Sequence, residues 1–577
     1  METQKTEEVL EPTQESEEQK TKEAVALVMK EKGLYESATQ TWRTEVGVIW
    51  DAYNGKMTDR AYPWKSKKFI PKMRTELSYI IPFIFSGNPE LEIGGVGDED
   101  KFISEQLEKI ANYRMDNDLQ AFDQVSKWVG QGTLLGTSLI KACWKFDTKP
   151  NPDGTRTPVA DMPKWEVPNI MDIFVDPTVA AIEDQVSVIE RITMPLEKAK
   201  KVSYYKNTEQ LTAGGNTTSN PYDSSKLNDT DVDNQMQLKS GMDTVEIFER
   251  WSDDRIITVA NGKEPVLLRD EPNPYGFIPY EKFIFEEDPL PNRFYGRGIG
   301  QNTKDLQAMY YDMFNEIIDN LHLVINKMFS IKRGAKINPN QLVAKPGGFI
   351  ERDDKDDVEE IQITDIKQSA FEVLGRVDDE HKRASGANDL LQGSSSNSTL
   401  GQDQMAQSNS SNRFELVRRR LKDAMSGLGK KTMLMEVENL QDMNSPILRI
   451  FPQESRESIF GLLKQLAPEM MWNVRIKGDT IMHQNKDIVS KQMIDLLNII
   501  ADKITNTEFR ANVREIYRLR GIQSIDELVG SEAPMQQVDP MTGQPIPQMG
   551  APMDGEALPD IEGQSTQQGI NSAVYAQ

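Results

Sequence analysis

The spacing of apolar residues changes along the chain, and the changes divide it into segments. Across residues 25–53, Leu27, Val28, Leu34, Tyr35, Trp42, Val46, Ile49 and Trp50 recur at helical intervals with a break at Gly33, which predicts two helices. A short loop at 54–68 follows. Segment 69–85 then opens with Pro71 and sets Met73, Leu77, Ile80, Ile81 and Ile84 on one side, the pattern of a buried helix. Between Trp144 and Phe285 the period shortens to runs of Ile, Val, Phe and Trp bounded by turn residues, which predicts a sheet. Runs 244–251 and 255–259 flank Ser252, Asp253 and Asp254. Asn261-Gly262, a pair suited to a type I′ turn, leads into 266–269.

The strongest periodicity lies further on. Leu306, Met309, Tyr310, Met313, Phe314, Ile317, Ile318, Leu321, Val324, Ile325 and Met328 keep a three-and-four spacing with no Gly or Pro from 303 to 328, so a helix of about 39 Å is expected. Its apolar face is too broad for one neighbour, as in a helix packed between copies of itself. A compact βαβ-like insertion is expected at 329–364 and a returning helix at 365–387. Helix resumes at Phe414 with Val417, Leu421, Met425 and Leu428 on one face, and two more helices are expected near 487–503 and 507–519.

Four stretches have little to bury. Residues 1–23 are rich in Glu, Gln, Lys and Thr, so order is expected to begin near Ala24; 206–243 reads as a mobile surface loop, 388–412 as a polar loop between two helices, and 531–577 as a disordered tail.

Charge and composition narrow the chemistry. A formal charge of −24 opposes tight phosphate binding, which needs clustered cations. Cys143 is the only cysteine, so no intrachain disulfide is possible. The N-terminus lacks an apolar signal segment, and no run would span a bilayer, so neither secretion nor membrane insertion is expected. His322, His381 and His483 stand at no metal spacing. The nearest approach to a phosphate loop, Gly427-Leu428-Gly429-Lys430-Lys431-Thr432, lacks the first Gly and reads as a helix kink. The acidic group Glu351, Asp353, Asp354, Asp356, Asp357, Glu359 and Glu360 has the composition of a magnesium site, but a solvated turn is its ordinary reading. Arg418, Arg419, Arg420 and Lys422 are candidates for phosphate contact, weighed against pairing with nearby carboxylates. No cofactor is expected.

Several collinear motifs carry a resemblance. They are Trp50-Asp51-Ala52-Tyr53-Asn54-Gly55-Lys56 with Ser66-Lys67-Lys68-Phe69-Ile70-Pro71-Lys72, Gly132-Thr133-Leu134-Leu135-Gly136-Thr137-Ser138 with Lys141 and Trp144, Asp172-Ile173-Phe174-Val175-Asp176-Pro177 with Glu183-Asp184, Phe294-Tyr295-Gly296-Arg297-Gly298, Lys345-Pro346-Gly347-Gly348-Phe349-Ile350, and Ser385-Gly386-Ala387 with Leu391-Gln392-Gly393. Taken in order, over roughly 46–440, the chain resembles the portal, or head-to-tail connector, proteins of tailed bacteriophages, especially those of short-tailed phages.

That resemblance implies an α+β fold: a wing of helices plus mixed sheet (24–297), a stem helix (298–328), a small α/β clip (329–364), a second stem helix (365–387), a tunnel loop (388–412), a return through the wing (413–486) and a helical crown (487–530). It further implies a homododecameric ring at one capsid vertex of the virion, assembled in the host cytoplasm, with double-stranded DNA passing through. Implied partners are the major capsid and scaffolding proteins, the terminase large subunit and head-to-tail adaptor or tail proteins. On this reading Asn388, Gln392, Ser394, Ser395, Ser396, Asn397 and Ser398 face DNA by position, and Lys332, Arg333 and Lys336 meet partners at the clip. The alternatives are a magnesium-dependent packaging enzyme and a tail or scaffold protein that is not a portal.

Overall fold

The computed structural model describes residues 14–477 apart from 58–61, 96, 98–99, 151–155, 213–243, 263, 339–341, 343–350, 388–399, 441–444 and 467–472, with four scattered positions beyond 477. The expected crown apart from those four positions, the expected tail, the first thirteen residues, most of the 206–243 loop and His483 lie outside the described residues.

One helix, α1 (Gln14–Asn54), replaces the two expected, and it begins ten residues before Ala24. Ala24 and Val28 pack on a sheet, and Val46 and Ile49 enter the main core. Packing on both sides of Gly33 offsets its cost in a helix of about 1 kcal/mol. Glu, Gln and Lys are good helix formers, so the helix propagates outward from the packed turn. Helices α2 (Lys72–Ile84), α3 (Lys101–Asn117) and α4 (Ala121–Leu135) follow, with strand β1 (Leu91–Gly94) between α2 and α3.

Strands β2 (Thr137–Pro150) and β3 (Arg156–Glu166) form a long hairpin, then come β4 (Ile173–Phe174), β5 (Val188–Pro195), the short helix α5 (Leu196–Ala199), β6 (Thr244–Trp251), β7 (Arg255–Asn261), β8 (Val266–Pro272) and β9 (Tyr280–Ile284). They make a five-stranded meander in the order β4-β5-β6-β7-β8 and a three-stranded sheet β3-β2-β9. Among the described residues every pairing is antiparallel, which corrects the mixed sheet expected; β6, β7 and β8 follow one another through the short connections that hairpins use. Asn261 and Gly262 are absent from the positive-φ residues, so the β7–β8 connection is not a type I′ turn; four residues separate the strands where such a turn needs two. The meander is covered on both faces, by Ala24 and Val28 of α1 on one and by Ala199 and Leu211 on the other. Its central strands β6 and β7 therefore show continuous rather than alternating burial.

Helix α6 (Ile299–Ile325) has 27 residues, about 40 Å. Beyond it β10 (Met328–Ile331) pairs antiparallel with β11 (Val358–Ile361), and α7 (Gln368–Ser385) returns along α6. The βαβ-like expectation is corrected accordingly: the two strands are antiparallel, and the only helical turn among the described residues of the insertion is the 3-10 turn Lys355–Asp357. Helix α8 (Leu400–Asn439) starts within the segment expected to be loop. Thirteen positions of that mainly polar segment, 400–412, are therefore helical, carried by propagation from the turns packed around Phe414. Helix α9 (Arg456–Leu466) and β12 (Asn473–Ile476) complete the described chain, β12 pairing with β1.

Candidate functional site

The base of α6 is a crossing of two of the sequence motifs. Gly136 holds φ at +91°, and a Cβ there would overlap the Gly296 carbonyl oxygen. Gly298 and Gly300 each bring a backbone so close that a Cβ would lie 2.6 Å from the Leu134 carbonyl oxygen. The Gly296 N–H donates to Thr137 Oγ1 at 2.8 Å, and Gly298 N–H donates to Gln301 Oε1 at 2.8 Å. Glycine is required here because backbone meets backbone. The crossing fixes where the long helix leaves the sheet.

Along α6 the burial pattern is reversed from that of an ordinary soluble helix. Thr303, Gln307, Tyr311, Asn315 and Asp319, four residues apart, are buried. Gln307, Asn315 and Asp319 hold an extended strap, 66–71, and the start of α2: Ser66 N–H donates to Asp319 Oδ1 at 2.6 Å, Lys68 N–H to Asn315 Oδ1 at 2.7 Å, and Met73 N–H, in α2, to Gln307 Oε1 at 3.3 Å. Asn315 Nδ2 and Gln307 Nε2 donate back to the carbonyls of Lys68 and Ile70, each at 2.9 Å. Much of the large apolar surface faces out instead: Met309, Leu321 and Ile325 on α6, Met328, Ile331 and Ile361 on the hairpin, Phe371 and Val373 on α7. Ile325 is 69 % exposed, and Met328 stands opposite Ile361 across the hairpin. The periodicity located the helix; that its core-facing side is the polar one was signalled only by the fourfold spacing of Thr303, Gln307, Asn315 and Asp319.

Lys332, Arg333 and Lys336 follow β10 and are all exposed. Asn388, Gln392, Ser394, Ser395, Ser396, Asn397 and Ser398 lie outside the described residues. The basic run is not one surface. Arg418 is buried, its guanidinium 4.5 Å from the Phe83 ring centroid and 3.1 Å from Glu415, and burial lowers its pKa. Arg420 donates to the Phe285 carbonyl at 3.1 Å and pairs with Glu287 at 3.3 Å, whereas Arg419 is exposed and Lys422 half-buried. Arg418 and Arg420 are therefore engaged in structural contacts, and Arg419 is the exposed member of the run.

The other candidates have structural roles. Gly427 to Thr432 lie within the helix α8, as the helical reading of this segment expects, and the helix is unbroken at the two glycines. A Cβ on Gly427 would meet the Glu281 carboxylate and one on Gly429 the Leu91 side chain, so small residues let β9 and β1 approach the helix. Lys431 Nζ, instead of reaching a phosphate, binds Glu281 at 2.7 Å, Glu183 at 3.1 Å and the Tyr280 carbonyl at 2.6 Å. In the acidic group Asp357 is buried and accepts the Asp354 N–H at 2.9 Å, and the other six are exposed. Among the described residues no cluster of three His, Cys, Asp or Glu could hold a metal, and no helix is long and apolar enough to cross a membrane.

Buried ions tie the body together. Lys141 on β2 reaches Glu190 at 2.7 Å and Glu249 at 2.6 Å, joining the two sheets, and Tyr280 donates to Glu190 at 2.5 Å. Burial alone would lower the Lys141 pKa, but the two carboxylates raise it well above the ordinary value. Arg114 on α3 clamps Glu436 on α8 at 2.9 and 3.1 Å. His381 on α7 meets Glu76 on α2 at 2.7 Å, both buried.

A rigid two-sheet body, a long helix anchored at a glycine crossing, and a hairpin and returning helix with uncovered apolar faces make a structural subunit built to pack against other chains. A family model described as Phage SU10 portal protein matches residues 153–558, well over half of the chain. The chain belongs to that family, the phage portal proteins, which are virion components of DNA packaging and structural rather than catalytic. The motifs around Trp50 and Gly132 lie before the matched segment, and the long helix, hairpin and returning helix lie inside it. No curated protein matches the chain at a significant level.

Proposed function

We propose that this portal protein forms a ring of twelve copies at one capsid vertex, the channel through which double-stranded DNA is packaged and ejected, and the platform on which terminase and tail or adaptor proteins dock. The observation that carries the reading is the reversed burial of α6. A helix that buries Gln307, Asn315 and Asp319 and exposes Met309, Leu321 and Ile325 is incomplete as a monomer, because exposed apolar area of that extent is normally covered by association.

In the ring α6 and α7 are the stem, the β10–β11 hairpin with Lys332, Arg333 and Lys336 the partner-facing clip, and 388–399 the segment facing DNA. An acidic chain suits a conduit. A wall rich in cations would bind the polyanion and add a desorption step at every advance, whereas Asn388, Gln392 and Ser394 to Ser398 touch a sugar-phosphate surface without strong attachment. Capsid and scaffolding proteins meet the two-sheet body, and assembly takes place in the host cytoplasm. The test is negative-stain electron microscopy with mass determination on the purified chain, repeated with scaffolding protein co-expressed. Rings of mass near twelve times 65.4 kDa are expected. Monomers or rods under both conditions would overturn the reading.

A further inference from the structure

The loop that leads into α6 is built as a knob. Its ends are tied by Glu286 and Arg297, each N–H donating to the other's carbonyl, at 3.1 and 2.7 Å. Pro289 and Pro291 fix the backbone on either side of Leu290, whose N–H donates to Asp288 Oδ1 at 3.0 Å, and Arg293 pairs with Asp288 at 3.5 Å. Asn292 then turns the chain at a φ of +59°. Leu290 at the tip is nevertheless 55 % exposed. A leucine presented by so constrained a loop loses little ordering entropy when it binds.

The same body carries a hole. A groove of about 410 Å³ opens among α1, α2 and α4, within the range of pockets that take several apolar groups. Trp50, Leu77, Ile81 and Leu134 make it apolar, and exposed Lys127 is the one charged residue among those that line it. Gln131 lines it too. Its Nε2 donates to the Pro168 carbonyl at 3.2 Å, but its Oε1 is buried and meets no donor among the described residues, which calls for an occupant that brings one. Knob and groove spring from one place. Leu134 ends in the groove, and two residues later the Gly136 carbonyl accepts the Phe285 N–H at 3.0 Å at the root of the loop. In the sheet β3-β2-β9 the loop leaves β9 at one edge, whereas Val167 and Met171, which border the groove, leave β3 at the other. A closed ring relates its subunits by rotation without translation along the axis, so features at one level on opposite edges can meet between neighbours.

Resting on the ring reading, we infer that Leu290 of one subunit inserts into the groove between Trp50 and Leu134 of the next, with the Asn292 amide donating to Gln131 Oε1 and Glu286 beside Lys127. The contact is heterologous, and a closed ring uses the knob and the groove of every subunit. The occupant is a second copy because this chain itself supplies what the groove lacks: an apolar tip, an exposed amide two residues on, and exposed carboxylates at Glu286 and Glu287 to oppose the lysine.

The test begins at the tip. Leu290→Asp places a charge in the apolar groove at every contact around the ring, and should lower the ring fraction at least tenfold in mass photometry. The thermal midpoint of the dispersed subunit should not change, because Leu290 is exposed there. Leu290→Met should keep the rings, and Lys127→Glu, which sets like charges together, should lower their fraction several-fold. Independently, Leu290→Cys with Lys127→Cys should give oxidised ladders longer than dimers, which neither single variant gives. If wild-type rings form and Leu290→Asp forms them equally well, the docking is wrong and the ring reading stands. Absence of ladders from assembled rings of the double variant would overturn the docking as well. If wild type forms no rings even with scaffolding protein, the ring reading falls and the docking with it. Should Leu290→Asp keep rings but lose binding to scaffolding or adaptor protein, the knob serves another chain and the inference is overturned.

Discussion

Asn315 closes a two-bond clamp on Lys68: its Oδ1 accepts the Lys68 N–H at 2.7 Å and its Nδ2 donates to the Lys68 carbonyl at 2.9 Å. A side-chain amide thus pairs with a peptide unit as a neighbouring strand would, and the strap needs no sheet. Asn315 is itself fully buried, so water cannot replace it.

Asn315→Leu keeps the γ-branched shape and removes both bonds. Two backbone groups are then left unpaired, at about 1–3 kcal/mol each. The first thermal transition should fall, and trypsin should cut after Lys65, Lys67 or Lys68 well before the body unfolds. Asn315→Asp, which keeps the acceptor, should lie between the variant and wild type. Unchanged proteolysis in the leucine variant would show that the strap is held from elsewhere.

Gly136→Ala tests the crossing. A Cβ meets backbone in a segment that cannot move without shifting α6, and φ of +91° adds strain whatever the space. We expect a loss of more than about 3 kcal/mol, seen as poor soluble yield. Gly334→Ala is the control: its φ is +96° but no atom lies near, so it should cost only about 1 kcal/mol.

How much could be read beforehand follows from which links are local. The strands and the long helix were legible because burial leaves a period in neighbouring residues, and 244–251 matched β6 at both ends. The strap was not legible. Gln307, Asn315 and Asp319 read as solvated positions until the segment that they bind, some 240 residues earlier, is placed beside them. Arg114 and Glu436, 322 residues apart, are hidden for the same reason. At the crossing the glycines were visible in both motifs, but nothing local told that Gly136 and Gly296 meet. The helix starts at Gln14 and Leu400 were missed because polar composition was read as loop, when a packed turn downstream is enough to carry a helix through good helix formers.

Cys143 should be almost inert. Burial, aided by the nearby Glu166 carboxylate, pushes its thiol up to about 12, and Sγ lies 3.4 Å from the Lys164 carbonyl oxygen. At pH 8 the thiolate fraction is then on the order of 10⁻⁴, against about 10⁻¹ for an ordinary cysteine. Iodoacetamide labelling followed by mass spectrometry should run about 10³-fold slower in the folded protein than in guanidinium. Labelling at the unfolded rate would mean that the β2–β3 hairpin opens freely. The low background also makes introduced cysteines interpretable.

The Lys141 cluster sets a pH dependence with a definite sign. Burial works to raise the Glu249 carboxyl, but the Lys141 ammonium and its hydrogen bond more than offset this, and the folded pKa lies below the ordinary 4.5. A lowered folded pKa contributes stability that is present above pH 4.5 and is lost as pH falls through the folded value. Lys141 has the opposite sign: its raised folded pKa contributes stability below 10.5 that is lost only as pH rises through the folded value, so between pH 5 and 8 the pair is fully charged and fully stabilising. Lys141→Met removes the cation and leaves Glu249 buried without it, at a cost of about 3–5 kcal/mol near neutral pH. In the variant burial dominates, Glu249 takes up its proton above the unfolded pKa, and stability recovers as pH falls. The gap in thermal midpoint between wild type and Lys141→Met should therefore be widest at pH 7–8 and close progressively toward pH 4.5. A gap that stays constant over that range would assign the loss to packing of the lysine stem between the sheets instead of to its charge.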